Sequence, residues 1–238
     1  LKKHRRKKMT ENLVDSTRHS YIFDPHKFGD TRIDIVGVGA TGSRVALSLA
    51  KLGITNIHVW DFDKVERHNV ANQIFGLNDI DKFKVDALGD FVKTQTGLEV
   101  TRHNEAVTGR TRLGSVVFLL TDSMASRKEI FEGAIKNKPS VSLMIETRMG
   151  ASEGRVYTIN PIDPDDVKFW LGTLYEDKDA QVSLCGTPIT VGPTAEFISS
   201  MAVWQFITWW KHTSEGKDSP NKDVMCFTTP TISVYSYK

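Results

Sequence analysis

Cysteine is scarce in this chain: Cys185 and Cys226 are the two thiols among 238 residues. Two cysteines supply neither a disulfide framework nor the paired CxxC spacing of a zinc site, so a reducing cytoplasm is the expected compartment. The seven histidines show no metal-ligand spacing either. Long apolar runs are also missing. The most apolar stretch, residues 197–210, is too short and too interrupted to cross a bilayer, and no cationic-apolar-cleavage pattern opens the chain. A soluble protein with no membrane partner is the expectation. Acids are absent from positions 1–8, where Lys2, Lys3, Arg5, Arg6, Lys7 and Lys8 lie together. Those six carry the basic balance: without them the 31 Lys and Arg fall to 25 against 29 Asp and Glu, a mildly acidic body. Residues 1–20 read as a flexible basic arm, solvated or touching an acidic partner, with nucleic-acid binding the less favoured use.

What the chain does have is concentrated in residues 32–63. A β-branched run (Ile33, Ile35, Val36) meets Gly37, Gly39 and Gly42 at GxGxxG spacing. An Ala/Leu/Val-rich helix follows, Gly53 stops it, and a second β-branched run ends at Asp61, 19 residues beyond Gly42. Strand, glycine turn, helix, strand and terminal acid in that order make a nucleotide-binding unit. Gly37 suits a tight turn, Gly39 lets backbone approach a phosphate chain, and Gly42 lets the helix sit close to the strand. The N–H groups opening the helix face the anion, and Asp61 can accept hydrogen bonds from a ribose.

The remaining pattern alternates strand and helix signals. Residues 79–94 carry a helical apolar stripe, 100–107 a short strand, and 116–120 a continuous apolar run of the kind found in buried parallel strands. Ser123 can cap a helix through Ala134. Strands are expected at 140–146, 156–159 and 225–236, a short turn at 167–171, a strong helix at 193–210, and loop through most of 160–192. The aromatics of the lead-in, Tyr21 and Phe23, are expected to cover a sheet edge. With 39% hydrophobic residues one core is affordable. The fold class is α/β: a Rossmann-like, mostly parallel sheet with helices on both faces and antiparallel C-terminal additions. Residues 21–238 form one domain, a nucleotide-binding half (32–150) and a C-terminal loop, helix and strand part (151–238).

A second layer of motifs follows the glycine turn. Asp61-Phe62-Asp63-Lys64-Val65-Glu66-Arg67-His68-Asn69-Val70-Ala71-Asn72-Gln73 resembles the DxDxVxxxNxxRQ segment of the adenylating ThiF/MoeB/HesA group, relatives of the ubiquitin-activating enzymes. Lys84, Thr121-Asp122 with Arg127, and Gly192-Pro193-Thr194-Ala195 continue the likeness across about residues 32–210. The resemblance implies an ATP- and Mg²⁺-dependent adenylyltransferase. It implies a nucleotide site holding Gly37, Gly39, Gly42, Asp61, Asp63, Asn69 and Gln73. Asp122 would be the magnesium and phosphate acid, and Lys84 a point charge on the phosphates. Each residue also has a plainer use: Lys84 as a solvent-facing helix lysine, Asp122 as a helix-start carboxylate, Asn69 and Gln73 as pins of their loop. The implied substrate is the C-terminal tail of a ubiquitin-like or sulfur-carrier protein, and the implied assembly a homodimer. Relatives use a cysteine near Cys185 as acyl acceptor; a small buried thiol is the alternative there, and Cys226 reads as core.

One position departs from the group's pattern, because Asn72 stands where it has arginine. Arg44, Arg67 and Arg148 are the candidates to supply that charge, together with a second subunit's arginine, for which Arg18 is the loose match. His68 borders the nucleotide loop, and Trp204, Trp209 and Trp210 suggest a helix buried on two sides. The rival functions are adenylation of a small-molecule or tRNA-modification carboxylate, an NAD-dependent oxidoreductase, and a non-catalytic nucleotide-binding scaffold, the last favoured by Asn72. ATP at a hundred times its dissociation constant should stabilise the protein by about 2.7 kcal/mol. NAD should leave the melting temperature unchanged; a thermal-shift series in which NAD stabilises and ATP does not reverses the assignment.

Overall fold

The structure is a computed structural model describing residues 14–176, 191–218, 222–227 and 233–237. Eight strands make one sheet: β1 (Ile33–Val36), β2 (Ile57–Trp60), β3 (Thr101–His103), β4 (Val116–Leu119), β5 (Leu143–Met149), β6 (Glu153–Ile159), β7 (Asp223–Phe227) and β8 (Ser233–Tyr237). Their order is β3-β2-β1-β4-β5-β6-β7-β8. The first five are parallel, and β6, β7 and β8 join antiparallel. The expected α/β sheet with antiparallel C-terminal additions is what the chain forms.

Strands β1 and β4 are buried along their whole length, so both faces must be covered. The period of two sends Ile33, Ile35, Val116, Phe118, Leu143 and Ile145 to one face. There α1 (Pro25–Phe28), α2 (Ala40–Lys51), α3 (Lys84–Thr96) and α6 (Gly192–Glu215) join them in one core. Val36, Val117, Leu119 and Met144 go to the other face, under α4 (Met124–Ile130), the π-helical turn Phe131–Ile135 and α5 (Pro164–Gly172). Each fully buried aliphatic side chain here contributes about 1.5–3 kcal/mol.

The structure corrects several boundaries. The stripe at 79–94 begins as helix only at Lys84, because Asp81 takes a left-handed φ of 71° and breaks the preceding turn. The single late strand is a hairpin, β7 against β8. The turn at 167–171 is a nine-residue helix, α5, with Asp163 as N-cap and Pro164 at its first position. Loop 65–73 contains a 3-10 helix, Arg67–Ala71. The lead-in does not cover a sheet edge: Phe23 is fully buried against Phe28, Phe206 and Trp210 on α6, and Tyr21 is exposed. Trp204 of α6 is half exposed within the single chain, so this helix is not wholly buried in the chain's own core.

Two glycines fix the first crossover. Gly37 has φ +90°, which favours glycine, and a Cβ there would meet the Leu120 carbonyl oxygen at 2.7 Å. A Cβ on Gly42 would lie 1.9 Å from the Gly37 carbonyl oxygen. Gly42→Ala should therefore lower stability by about 1–3 kcal/mol, the range for overpacking. Chemical denaturation showing wild-type stability would mean that α2 can lift from the turn.

Candidate active site

Strand β1 lies between β2 and β4, so the chain leaves it in opposite directions and opens a crevice at the carboxyl ends of these strands. A cavity of about 990 Å³ occupies that crevice. Its wall holds Gly37, Gly39, Asp61, Asp63, Asn69, Gln73, Lys84 and Asp122, eight of the residues singled out in the sequence. Gly42 lies one turn deeper, in the α2–β1 contact. Cys185 lies outside the described residues.

Asp61 closes β2, and its Oδ2 accepts the Val38 N–H at 2.9 Å, tying the acid to the glycine turn. Its Oδ1 accepts the Asp63 N–H at 2.9 Å. Burial holds its carboxyl above the ordinary carboxylate range, against the pull of the Lys84 ammonium and the two N–H groups. Because the folded-state pKa is raised, Asp61 binds its proton more tightly in the native chain. Its contribution to stability therefore falls as pH rises through the interval between the unfolded and folded values. Each carboxylate oxygen keeps a second lone pair, so Asp61 still has acceptor capacity for a ribose hydroxyl.

Lys84 is not a solvent-facing helix lysine. It is 8% exposed and is the first residue of α3, with Nζ 2.8 Å from Asp63 Oδ2. An ammonium in a first helical turn meets the positive end of the helix dipole, so the position suits it only beside an anion. Asp63, about half exposed, is one such anion and leaves the ammonium partly uncompensated.

Asn69 pins its loop: it is buried, its Oδ1 accepts the Glu66 N–H at 2.8 Å, and its carbonyl oxygen accepts the Gln73 N–H. Gln73 is different. Its Oε1 is buried with no hydrogen-bond partner among the described residues, and its Nε2 faces Gly39. A buried acceptor without a donor costs about 1–3 kcal/mol unless a ligand supplies one, so it points to a polar occupant.

Asp122 follows β4 on an exposed turn. No hydrogen bond or ion pair among the described residues engages its carboxylate. The backbone around it is fixed: Arg127 Nε donates to the Thr121 carbonyl oxygen at 2.8 Å, Ser126 N–H to Ser123 Oγ at 3.1 Å, and Ser126 Oγ to Thr121 Oγ1 at 3.0 Å. Among the described residues no three His, Cys, Asp or Glu side chains gather into a metal cage. Mg²⁺ commonly takes one or two carboxylates plus substrate phosphates and water, a demand that the Asp122 carboxylate on the cavity wall can meet. The glycine turn, the open acceptor of Gln73 and the buried ammonium fit a nucleoside triphosphate.

None of Arg44, Arg67 and Arg148, the arginines proposed within the chain for the Asn72 position, extends into the cavity. Arg44 Nη1 donates to the Asn72 and Ala40 carbonyl oxygens, at 2.7 and 2.9 Å, and Nη2 pairs with Glu196. Arg148 is held by Glu146 and Thr173 and lies 4.5 Å over the Tyr157 ring. Arg67 and Arg18 are exposed and do not line the cavity, whereas His68 does. Sequence reasoning gave Arg127 and Glu146 no role. The signal was there in an arginine five residues past Asp122 and an acid inside the next apolar strand, but the register of β4 against β5 was needed to join them.

The sequence profile of the ThiF family matches residues 24–235. The chain belongs to the ThiF family. The match takes in the whole cavity and seven of the eight strands completely. Ubiquitin-like modifier-activating enzyme 5 of Caenorhabditis briggsae is 28% identical over 170 residues, covering 63% of this chain and 39% of the relative. The NEDD8-activating enzyme E1 catalytic subunit of Caenorhabditis elegans is 26% identical over 138 residues, covering 52% of this chain and 32% of the relative. The chain thus spans well under half the length of these curated relatives. A crystal structure of E. coli MccB with AMPCPP and MccA superposes with a TM-score of 0.68 at 15% identity, over 96% of this chain and 73% of the other. PaaA superposes with a TM-score of 0.65 at 18% identity, over 92% and 67%. At those identities the likeness shows the ThiF-type fold.

Lys84→Met should weaken ATP binding roughly tenfold or more, the worth of a charge-assisted hydrogen bond. Stability should change by no more than about 1 kcal/mol, since the Asp63 partner is half exposed. Calorimetric titration with ATP and a denaturation curve check both. Unchanged affinity would remove Lys84 from the phosphate site.

Proposed function

We propose that this ThiF-family chain is an ATP-dependent adenylyltransferase that activates the C-terminal glycine carboxylate of a ubiquitin-like or sulfur-carrier protein. The observation that carries the proposal is Asp122: a carboxylate that no described residue engages, on a pinned turn lining the same cavity as the glycine turn and the buried Lys84. ATP in MccB crystals and the activating enzymes among the relatives support the same assignment.

In the proposed reaction a carboxylate oxygen of the tail attacks the α-phosphorus. The bond from that phosphorus to its bridging oxygen breaks, diphosphate leaves, and an acyl adenylate remains. The glycine turn and the N-terminus of α2 hold the phosphate chain, and Asp61 and Gln73 orient the ribose. Lys84 neutralises charge that grows on the departing oxygens, where fixed charges act without reorganising. Mg²⁺, when bound, would add Lewis-acid stabilisation of those oxygens, with Asp122 as its protein ligand. The tail enters past Thr147, Met149 and Gly192, which also line the cavity. Cys185 is the proposed acceptor of the activated acyl group: its thiolate attacks the acyl carbon and AMP leaves.

We further propose a cytoplasmic homodimer, with the partly exposed face of α6 as the contact and a basic arm apart from the catalytic unit. A non-catalytic nucleotide binder is the second interpretation, and Asn72 favours it, since Arg44 is spent on backbone carbonyls behind that position.

Exchange of labelled diphosphate into ATP should depend on a carrier ending in Gly-Gly, and Asp122→Asn should lower the exchange rate about a hundredfold or more. ATP binding with no exchange for any ubiquitin-like or peptide carrier would leave the second interpretation.

A further inference from the structure

Glu146 is fully buried on β5 and collects charge from two directions. The Arg127 guanidinium is hydrogen-bonded to its Oε1, Arg148 Nε lies 3.0 and 3.1 Å from its two oxygens, and Trp170 Nε1 donates to Oε2 at 3.0 Å. Arg127 uses its other donors on one acceptor, the Thr121 carbonyl oxygen immediately before Asp122, through Nε and Nη2. Arg127 thus reaches the cavity wall sharing the single charge of Glu146 with Arg148, and with two of its five N–H groups committed to the turn. Arg148 carries the same chain of bonds to the end of α5, with Nη1 on the Thr173 carbonyl oxygen at 2.6 Å and Nη2 on Thr173 Oγ1 at 2.9 Å.

We propose that Arg127 and Glu146 are positioning residues for Asp122. Glu146 fixes the guanidinium, the guanidinium fixes the Thr121 carbonyl, and the turn then presents the Asp122 carboxylate at one place in the cavity. Buried ion pairs are costly to assemble, and replacing them with apolar groups often leaves stability unchanged or higher. A network of this kind beside an otherwise unengaged carboxylate therefore serves geometry. Two bonds to one carbonyl oxygen restrain the turn more firmly than a single donor does, because the planar guanidinium sets direction as well as distance. This inference rests on Asp122 acting as the metal and phosphate acid.

The test is the Mg²⁺ dependence of ATP binding, measured by calorimetry for wild type, Asp122→Asn, Arg127→Lys and the double variant, each checked for folding by its melting curve. The Mg²⁺ concentration giving half the effect should rise about tenfold to a hundredfold in Arg127→Lys, as for lost partners of metal ligands. The double variant should be no worse than Asp122→Asn alone, and Mg²⁺-free ATP binding should stay at the wild-type level. A wild-type Mg²⁺ dependence in folded Arg127→Lys, or losses that add to those of Asp122→Asn, overturns the inference. So does a loss of Mg²⁺-free binding, which would put the guanidinium on phosphate itself. If Asp122→Asn leaves the Mg²⁺ dependence unchanged, the assignment of Asp122 fails first and this inference with it. Glu146→Gln, read in the same way, replaces Arg127→Lys should the latter not fold.

Discussion

The molecule depends on a close approach between two stretches of backbone. The carbonyl of Gly37 occupies the space where Gly42 would carry a side chain, so α2 starts directly against the end of β1. From the other side the Leu120 carbonyl oxygen, just past β4, would lie 2.7 Å from a Cβ on Gly37. No side chain can enter either contact, and the order of β2, β1 and β4 leaves the crevice above them open. The cavity, the turn carrying Asp122 and the acid that closes β2 all take their positions from this junction.

A second constraint is electrostatic. The face of the sheet under α4 and α5 carries the carboxylates of Asp34 and Glu146 among its apolar side chains. Both are fully buried and both are satisfied, Asp34 by Arg32, Trp60 Nε1 and the Gly114 N–H. Asp34 ties β1 to the loop entering β4, and Glu146 ties β5 to α4 and α5. Removing one member of such a set strands the others without a partner, which is far more damaging than loss of the bonds themselves. The two carboxylates therefore fix relative placement around the cavity where apolar packing alone would allow sliding.

How much of this could be read in advance follows the distance in sequence over which each feature is determined. Gly37, Gly39, Gly42 and Asp61 are set within one strand-turn-helix-strand unit, and they lie where their spacing implied. Asp163-Pro164 is an equally local helix start, obscured by the loop-like composition around it. Lys84 was ambiguous in the sequence because its exposure depends on where α3 begins, and the left-handed Asp81 moves that start. Asn69 and Gln73 carry the same two alternatives, and their side chains divide them, one bonded to its own loop and one with a buried acceptor that no described residue satisfies. The Arg127–Glu146 pair depends on the register of two strands and a helix, information no local pattern contains. The alternating run at 225–236 likewise hid a reversal of direction between β7 and β8.

The placement of Lys84 has a consequence for the proposed catalytic cycle. The helix amides behind its ammonium repel it, a tension that half-exposed Asp63 offsets in part and an arriving polyanion discharges. Diphosphate, once cleaved from the nucleotide, still satisfies that ammonium. Its departure restores the tension, while the acyl adenylate keeps only a single phosphate. Product escape is thereby an uphill step governed by ionic strength, and added salt would speed turnover even as it weakens capture of the nucleotide.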